Sequence, residues 1–447
     1  MSVPPWLLCP DDVNALVPAL WPASVTRDPD GVLSIGGIRV DDIAATHSTP
    51  AYVLDEADLR ARAAAFRDAF APATIYYAGK AFLSKAIVRI VADEGLSLDV
   101  CSGGELATAL AAGMPPARIG LHGNNKSASE LLRAVKVGVG RIIVDSFDEI
   151  DRLTTIALTA GVRPAIMLRL TVGVEAHTHE FIATAHEDQK FGFSIAGGAA
   201  ANAANKILSE DVLELRGFHS HIGSQIFDTG GFEVAARRVL ALMADVRDEH
   251  GVELPELDLG GGFGIAYTTQ DRPATPAELA TGIRSIVESE CAAVGLAVPH
   301  LSFEPGRAII GPSMFTLYEV GTVKDVAGIR TYVSVDGGMS DNIRSALYGA
   351  AYSATVASRS STAGPILARV VGKHCESGDI LVKDEFLPAD VRPGDLLAVP
   401  GTGAYARSMA NNYNHVPRPP VLAVHEGQVR VIMRRETEDD LLALDVG

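Results

Sequence analysis

The residues best suited to chemistry in this chain are five polar side chains in separate short motifs. Lys80 follows a strand-like run, and an amine held there can form a Schiff base. His221 follows another such run, and Glu304 and Arg307 share a Glu-Pro-Gly-Arg motif. Cys375 lies far downstream, next to a glutamate. Taken alone, a lysine at a strand end is usually a solvated surface residue, so the argument depends on the whole set.

Together these groups match what pyridoxal phosphate requires: an amine for its aldehyde, a carboxylate for its ring nitrogen, a flat face against its ring, and donors for its phosphate. Lys80 would supply the amine, Glu304 would face the pyridine nitrogen as an anion, and His221 would stack on the ring. The phosphate donors would be Ser224, the peptide N–H groups around Gly260, Gly261, Gly262 and Gly306, and the guanidinium of Arg307. We expect pyridoxal 5'-phosphate as the cofactor and no metal.

Cys375 lies outside the part of the chain that carries the other motifs. It can therefore reach their site only across a domain or subunit boundary. Its thiol could return a proton to the carbanion left after loss of carbon dioxide, although a cysteine is more often an inert buried residue. We count Cys375 with Lys80 and His221 as the catalytic candidates.

The stretch from about residue 74 to residue 304 alternates short β-branched runs with amphipathic segments long enough to cross a sheet, which is typical of repeated βα units. Eight such units predict a closed (β/α)8 barrel. The predicted strands are Thr74 to Ala78, Leu96 to Val100, Arg118 to His122, Arg141 to Asp145, Ala165 to Thr171, Leu213 to His221, Glu256 to Leu259, and His300 to Glu304.

Active sites of such barrels lie at the carboxyl ends of the strands, and polar residues of this chain occur at those positions. In strand order they are Lys80, Asp99 with Cys101, His122, Asp145, Arg169, His221, Gly260 and Glu304. We assign Asp99 to the cofactor site as well. A dinucleotide-binding fold is less well supported, because the glycine run at 260 to 264 fails the GxGxxG spacing at its last position.

After Arg307 the pattern changes to strands separated by proline and glycine turns, which predicts an all-β domain of sandwich or barrel type. The N-terminal segment does not fit the barrel repeat and is expected to join that domain, with a strand at Ala51 to Leu54 pairing there. We place the cofactor-binding barrel at residues 48–309 and the β domain at 1–47 and 310–447. The β domain would contribute residues to the active site.

Composition limits the class of protein. The 447 residues are 47% hydrophobic and carry a net charge of -17 without a basic stripe, which argues against a nucleic-acid partner. No apolar run is long enough to span a membrane, the four cysteines show no paired spacing, and the first residues lack a secretory pattern. We expect a cytoplasmic enzyme with a small-molecule substrate.

Two groups of histidines have a more ordinary interpretation. His219 and His221 form an HxH pair of the kind that binds metal in barrel hydrolases, but there the pair lies on the first strand, which here ends in lysine. The irregular stretch from Gly173 to Lys190 holds His177, His179 and His186 and is expected to be a polar insertion near the mouth of the site.

The motifs resemble the diaminopimelate decarboxylase family, of the alanine racemase-like class (fold type III) of pyridoxal phosphate enzymes, over nearly the whole chain. The segments that carry the resemblance are Tyr77 to Ala81, Asp99 to Leu106, His122 to Ser127, His219 to Gln225, Glu304 to Arg307, Cys375 to Ser377, and Thr402 to Tyr405. The resemblance implies decarboxylation of meso-2,6-diaminopimelate to L-lysine and CO2, the last step of lysine biosynthesis. It also implies a homodimer in which Cys375 and Glu376 complete the active site of the other subunit.

The resemblance assigns substrate contacts too, at Arg307, Arg344, Tyr348, Glu376 and Tyr405, and it adds Tyr405 to the phosphate site. An arginine and a glutamate suit the amine and carboxylate at the non-reacting end of diaminopimelate. Ornithine would offer only an amine there, which Arg344 would repel. A decarboxylase of ornithine, arginine or a carboxylated polyamine such as carboxynorspermidine, a racemase, and a non-catalytic regulatory protein stay open as alternatives.

Overall fold

The structure is a computed structural model that describes residue 4, residues 6–173 and residues 189–447. The chain forms two compact units. The first comprises residues 1–62, 265–272 and 307–447, and the second comprises residues 63–264 and 273–306. The histidines at 177, 179 and 186 lie outside the described residues, so their predicted place near the site mouth stays a prediction.

The N-terminal part of the chain contributes a small sheet, one further strand and two helices. The elements are β1 (Val25–Arg27), β2 (Leu33–Ile35), β3 (Ile38–Arg39), α1 (Val40–His47), β4 (Ala51–Asp55) and α2 (Glu56–Phe70). Strands β1, β2 and β3 pair antiparallel in chain order. Leu33 and Ile35 of β2 are buried in the core of the first unit together with Trp21 and Phe315.

The second unit is a closed barrel. Its strands are β5 (Thr74–Ala78), β6 (Ser97–Val100), β7 (Ile119–Leu121), β8 (Arg141–Val144), β9 (Ala165–Thr171), β10 (Phe193–Ser194), β11 (Glu214–Ser220), β12 (Glu256–Asp258) and β13 (His300–Phe303). Its helices are α3 (Lys85–Asp93), α4 (Gly103–Ala112), α5 (Ala128–Val137), α6 (Phe147–Ala160), α7 (Ala199–Glu210), α8 (Gly230–His250) and α9 (Pro276–Val294).

Within the described residues, eight parallel strands close the barrel in the order β5, β6, β7, β8, β9, β11, β12, β13, and β13 pairs again with β5. The short strand β10 pairs in parallel with the carboxyl end of β9. This arrangement confirms the predicted (β/α)8 barrel, and each predicted strand lies within about two residues of its observed position.

Serine residues fix where four successive barrel helices begin. The side chains of Ser84, Ser102, Ser127 and Ser146 each accept a hydrogen bond from the backbone N–H three residues later. Such N-caps satisfy a donor that the first helical turn would otherwise leave without a partner. Each cap ends its strand-to-helix loop within a few residues, so the side chains at the strand ends have defined positions.

The C-terminal part of the chain forms most of the large sheet of the first unit. Its elements are α10 (Arg307–Ile310), β14 (Met314–Val326), β15 (Arg330–Val335), α11 (Arg344–Tyr348), β16 (Thr355–Val356), β17 (Pro365–Val371), β18 (Ile380–Pro388), β19 (Leu396–Pro400), β20 (Val421–His425), β21 (Gln428–Met433) and α12 (Glu438–Leu442). Single 3-10 turns occur at Pro116–Arg118, Arg407–Met409 and Tyr413–His415. The separate sheet domain predicted after Arg307 is confirmed.

Strand β14 organises that sheet because its two halves have different partners. Residues Met314 to Glu319 pair with β4 and β19, and residues Val320 to Val326 pair with β15. The main path of the sheet runs β18, β17, β15, β14, β4, β20, β21. The strand at 51–55 therefore joins this sheet, as expected from its failure to fit the barrel repeat.

The division of the chain differs from the predicted boundary at residue 48. Residues 48–62 belong to the first unit, because β4 is held by hydrogen bonds to β14 and β20 rather than to any barrel strand. Residues 265–272 also belong to the first unit, although barrel segments precede and follow them in the chain. Among the described residues, no helix has the length and apolar character needed to cross a membrane.

Candidate active site

A cavity of about 400 Å³ lies among the residues at the carboxyl ends of the barrel strands. It brings together four residues that the sequence placed in the cofactor site: Lys80, Asp99, His221 and Glu304. The other residues that line the cavity are Ala78, Gly79, Val100, Cys101, Glu105, His122, Gly123, Asn124, Arg169, Phe191 and His219.

Lys80 is an exposed side chain on the wall of this cavity, two residues after the end of β5. The preceding Gly79 donates its backbone N–H to the carbonyl oxygen of Asp99 at 3.0 Å. A Cβ atom at position 79 would lie only 2.7 Å from that same oxygen. Glycine therefore allows the loop that carries Lys80 to pack directly on the end of β6, with the amine free to meet a ligand.

The glycines after β11, β12 and β13 form a tightly packed set of loops, which we call the glycine cradle (Gly223, Gly260 to Gly262, Gly306). Gly260 and Gly262 have φ angles of +72° and +97°, which favour glycine. A Cβ at Gly261 would lie 2.1 Å from the carbonyl oxygen of Glu304, and one at Gly262 would lie 2.3 Å from the carbonyl oxygen of Gly223. The cradle therefore has no room for side chains at these positions, as a backbone site for an anion requires.

The floor of the cavity is a group of four titratable side chains, which we call the carboxylate–imidazole cluster (Asp99, His122, His219, Glu304). Glu304 Oε1 lies 3.2 Å from Nε2 of His122 and 3.0 Å from Nε2 of His219. His122 Nε2 also lies 3.1 Å from Asp99 Oδ1. The distances are those of hydrogen bonds, but among the described residues none of these atoms has a well-aligned hydrogen-bond partner.

The charges in this cluster shift the pKa values of its members in opposite directions. Burial raises the pKa of Glu304, but the two imidazoles outweigh it and hold that pKa well below its usual value. Burial lowers the pKa of His122, yet Glu304 and Asp99 raise it to about 9. For His219, burial dominates and its pKa is lowered. Glu304 is thus an anion at neutral pH, beside one charged and one neutral imidazole.

Arg141 lies in the barrel interior near this cluster but is engaged elsewhere. It forms an ion pair with Asp258 and donates to the hydroxyl of Ser302 at 2.8 Å. Its guanidinium also lies 3.8 Å from the centre of the Tyr76 ring, whereas Glu304 Oε1 is 4.0 Å from its nearest nitrogen. Arg141 therefore neutralises Asp258 first and acts on Glu304 only from a distance.

His221 contributes a neutral ring to the cavity wall. Burial, followed by the charges of Lys80 and Arg169, lowers its pKa well below the usual value. Arg169 is held 4.3 Å from the centre of the Phe191 ring and 3.9 Å from Asp145. A neutral imidazole can lie flat against an aromatic ligand without adding a charge, which is consistent with the predicted stacking role of His221.

Two arginines and three tyrosines of the first unit form a second cluster, which we call the arginine–tyrosine cluster (Tyr267, Arg307, Arg344, Tyr352, Tyr405). Arg307 donates to the Tyr267 hydroxyl at 2.6 Å, and Arg344 donates to the Tyr352 hydroxyl at 2.6 Å. Arg307 also lies 4.8 Å from the centre of the Tyr405 ring. The structure thus brings together three predicted ligand contacts, Arg307, Arg344 and Tyr405.

Tyr405 has a φ of +63°, which is uncommon for a residue with a side chain. A non-glycine residue in this region is strained by roughly 1–2 kcal/mol. Such strain persists where the surrounding structure holds the residue in place, and it occurs often at functional sites. The conformation is consistent with the predicted contact of Tyr405 with the cofactor phosphate.

Three other predicted residues of the first unit are exposed. Tyr348 is 65% exposed, and Cys375 and Glu376 are also exposed. The loop that carries Cys375 is nevertheless well anchored, because Asn414 Oδ1 accepts the N–H of Cys375 at 3.1 Å and Asp379 Oδ2 accepts the N–H of His374 at 2.8 Å. Cys375 and Glu376 are therefore exposed on a fixed loop.

Several residues that the structure places in these sites were not assigned a role from sequence patterns. His122 and Arg169 occupy strand ends, so their position was predicted, but not their contacts. His219 was noted only as part of an HxH pair. Tyr267 and Tyr352 lie in loops without a motif, and no pattern in the sequence marks them. Ser224, predicted for the phosphate, is exposed beside the glycine cradle.

The barrel and its polar cavity define a class of α/β enzymes, and comparison with known proteins narrows it. The family described as pyridoxal-dependent decarboxylase, pyridoxal binding domain, matches residues 56–311. The chain is 57% identical to the diaminopimelate decarboxylase of Mycobacterium tuberculosis over 440 residues, which is 96% of this chain and 98% of that protein. It is 55% identical to the Mycobacterium leprae enzyme over 445 residues, covering 98% of this chain and 94% of that protein.

Solved structures agree. The diaminopimelate decarboxylase of M. jannaschii in complex with L-lysine superposes with a TM-score of 0.90 at 30% sequence identity, covering 96% of this chain and 99% of that chain. The chain therefore belongs to the diaminopimelate decarboxylase family of pyridoxal-dependent decarboxylases. The resemblance that the motifs predicted is confirmed.

Proposed function

We propose that this chain removes one carboxylate of meso-2,6-diaminopimelate as CO2 and gives L-lysine, with pyridoxal 5'-phosphate bound through Lys80. The observation that carries the proposal is the combination of an amine, a neutral imidazole and an anionic glutamate around one cavity, in a chain of this family. The M. jannaschii relative binds L-lysine, the product of the proposed reaction.

The residues around the cavity fit the cofactor. A volume of about 400 Å³ suits a small aromatic phosphate ester. The buried polar atoms of the carboxylate–imidazole cluster lack well-aligned partners, and leaving each so costs roughly 1–3 kcal/mol, so a ligand that supplies a donor would stabilise them. The glycine cradle would offer backbone N–H groups to an anion, except that of Gly260, which donates to Asp258 Oδ1 at 2.7 Å. We propose that it binds the phosphate together with Ser224, Arg307 and Tyr405.

Pyridoxal phosphate, when bound, supplies an electron-withdrawing ring that accepts the electron pair of the bond that breaks. Glu304 contributes a fixed negative charge that keeps the ring nitrogen protonated. His221 would hold the ring in place by contact with its face, and Lys80 would supply the amine to which the cofactor attaches. The bond from Cα to the carboxylate carbon breaks, CO2 leaves, and Cα gains a proton.

We assign the substrate contacts to residues of the first unit. Arg344, in the arginine–tyrosine cluster, would bind the carboxylate at the non-reacting end, and Glu376 would bind the amine beside it. Arg307, Tyr348 and Tyr405 would complete this set. A guanidinium held by tyrosine hydroxyls and rings is well oriented for a carboxylate, which supports the choice of diaminopimelate over ornithine.

Cys375 is the proposed donor of the proton to Cα. Because Cys375 and Glu376 are exposed on an anchored loop, we propose that they complete the site of a second copy of the chain in a homodimer. Sedimentation would measure the oligomeric state. Active heterodimers from two inactive variants, Lys80→Ala and Cys375→Ala, would show that the sites are shared. We also propose that the enzyme is cytoplasmic.

The central experiment replaces Lys80. Borohydride treatment of the cofactor-loaded protein should attach the cofactor to Lys80, as located by mass spectrometry of peptides, and lysine should be the product from diaminopimelate. Lys80→Ala should lose the adduct, the visible absorbance and all turnover, while Lys85→Ala, at an exposed lysine nearby, should keep them. An adduct elsewhere would reject the assignment of Lys80. Formation of putrescine or agmatine from other substrates, with none of lysine, would reject the substrate.

A further inference from the structure

The groups in direct contact around Glu304 include more carboxylates than permanent cations, while Lys80 and Arg169 line the same cavity further away. Among the described residues in direct contact there, three buried carboxylates, those of Asp99, Asp258 and Glu304, are accompanied by one permanent cation, Arg141. Three carboxylates and one cation in a buried space are strongly unfavourable, so such a site gains protons or binds a cation. Burial, followed by the charge of Glu304, accordingly raises the pKa of Asp99 to about 7. Some group in this space must therefore hold the compensating positive charge.

Arg141 cannot balance all three carboxylates. Its ion pair with Asp258 and its hydrogen bond to Ser302 at 2.8 Å fix the guanidinium on the side of β12 and β13. Its nearest nitrogen lies 4.0 Å from Glu304 Oε1. Asp99 and Glu304 therefore need another positive charge.

The two imidazoles of the cluster differ in the number of carboxylates that they contact. His122 Nε2 lies 3.1 Å from Asp99 and 3.2 Å from Glu304, so a proton there faces two oxygen atoms of opposite charge. Among the residues that the structure describes, the carboxylate in contact with His219 Nε2 is that of Glu304, at 3.0 Å. Both rings are almost fully buried, with 11% and 1% of the side chain exposed, so burial does not explain a difference between them.

We propose that His122 is a positioning residue: it carries a proton shared between Asp99 and Glu304, and so keeps the Glu304 carboxylate anionic for the cofactor ring. The inference rests on the proposed function for the cofactor, but the charge on His122 is a property of the barrel alone. His219 has a different role, since its ring is neutral and its Nε2 lies 3.0 Å from the same oxygen. The raised pKa of His122, about 9, and the lowered pKa of His219 agree with this division.

A metal ion is the alternative source of positive charge. Donor atoms of His122, His219 and Glu304 all lie within 4.8 Å of one another. A histidine that binds a metal nearly always donates its other ring N–H to an acceptor. Within the part of the chain that the structure describes, Nδ1 of His219 has no hydrogen-bond partner. A shared proton therefore explains the cluster better.

The groups that face His122 come from several strands. Asp99 lies on β6, His219 on β11 and Glu304 directly after β13, while Arg141 begins β8 and Asp258 ends β12. Loss of the His122 charge would act on Glu304, whose pKa is held low by His219 and by His122. The pKa of Glu304 would rise, so the fraction of ionised Glu304 would fall at acidic pH. Cofactor binding should then fail at a higher pH than in the wild-type protein.

The first test measures the charge directly in the protein without cofactor. With histidine labelled for NMR, the His122 signals, assigned by their loss in His122→Gln, should be those of an imidazolium at pH 7 and should titrate near pH 9. His219 should be neutral at pH 7. Asp99→Asn should lower the pKa of His122 by about one unit or more. A neutral His122 at pH 7 would overturn the proposal, as would recovery of stoichiometric zinc or iron from the purified protein.

The second test compares His122→Gln with the matched control His219→Gln, since both rings contact the same oxygen of Glu304. Equilibrium binding of pyridoxal phosphate is measured against pH. His122→Gln should shift the acidic limit of binding upward by about one pH unit and weaken binding about tenfold or more at pH 6. His219→Gln should weaken binding without that shift. Equal shifts in both variants, or none in His122→Gln, would contradict the proposal.

The two tests also separate this inference from the proposed function. If the wild-type protein binds no cofactor at Lys80, the proposed function fails, and the NMR titration still decides the charge on His122. If His122→Gln does not fold, Asp99→Asn removes one of the two carboxylates and gives the same comparison. In that variant a His122 pKa equal to that of the wild type would exclude a shared proton.

Discussion

The carboxylate–imidazole cluster of the barrel and the arginine–tyrosine cluster of the first unit handle charge in opposite ways. In the barrel, buried acids and imidazoles stand 3.0–3.2 Å apart, and their charges compensate one another. In the first unit, two guanidinium groups are held by tyrosine hydroxyls and rings. A cation held in this way keeps its charge available, because a phenol does not neutralise it. The carboxylate–imidazole cluster is therefore suited to holding a fixed protonation state, and the arginine–tyrosine cluster is suited to binding an anion.

The largest effect of a substitution that keeps the cofactor bound is expected outside both clusters. Cys375→Ala should leave cofactor binding and its absorbance unchanged, because neither cluster contains this thiol. Turnover should fall by roughly 10² to 10⁴-fold, the usual contribution of a general acid. Stopped-flow and steady-state kinetics would measure the loss, and Cys9→Ala, at another exposed cysteine, is the control. An unchanged rate would remove Cys375 from the mechanism.

Glu304→Gln tests the carboxylate–imidazole cluster of the barrel. The substitution keeps the shape of the side chain but removes the charge that the ring nitrogen needs, so kcat should fall by roughly 10² to 10³-fold, as for other preorganised electrostatic groups. The cofactor absorbance should also shift. Asp258→Asn is the control, because Asp258 pairs with Arg141 and does not line the cavity. If both variants lose kcat equally, the effect of Glu304 is structural.

Arg344→Gln tests the arginine–tyrosine cluster, and its expected effect is smaller. Loss of a charged hydrogen bond to the substrate carboxylate should raise KM by roughly 10 to 100-fold, with kcat less affected. Tyr352→Phe removes only the hydroxyl that orients Arg344 and should raise KM a few-fold. Steady-state kinetics with diaminopimelate would separate the two parameters. A loss of kcat with normal KM in Arg344→Gln would place this residue in the chemical step instead.

Local patterns in the sequence were sufficient for the barrel. The β-branched runs predicted the eight strands that close the barrel, because parallel strands are buried on both faces. Residues at strand ends, such as Lys80 and Glu304, then had to face one cavity. Strand β18 has no clear signal in the sequence, because Lys383, Asp384 and Glu385 interrupt its apolar pattern. The structure buries Asp384 by pairing it with Arg330 at 2.6 Å, a contact between distant residues that no local pattern reveals.

The same distinction applies to the site. Lys80, Asp99, His221 and Glu304 were predictable because motif and strand position agree. The contact of His122 with Asp99 and Glu304 was not, since it joins residues of three strands across the barrel interior. Tyr267 and Tyr352 were also missed, because an isolated tyrosine in a loop carries no signal until the arginine that it contacts is placed beside it.

Gly261 has a consequence for the size of ligand that the barrel accepts. Its Cα lies so close to the carbonyl of Glu304 that a methyl group there would meet that oxygen at 2.1 Å. The backbone proposed to hold the phosphate is thus in direct contact with the residue proposed to hold the opposite end of the ring. The spacing between these two attachment points is set by main-chain packing, which cannot stretch. Analogues of the cofactor with even one additional methylene between ring and phosphate should therefore not bind, regardless of the surrounding side chains.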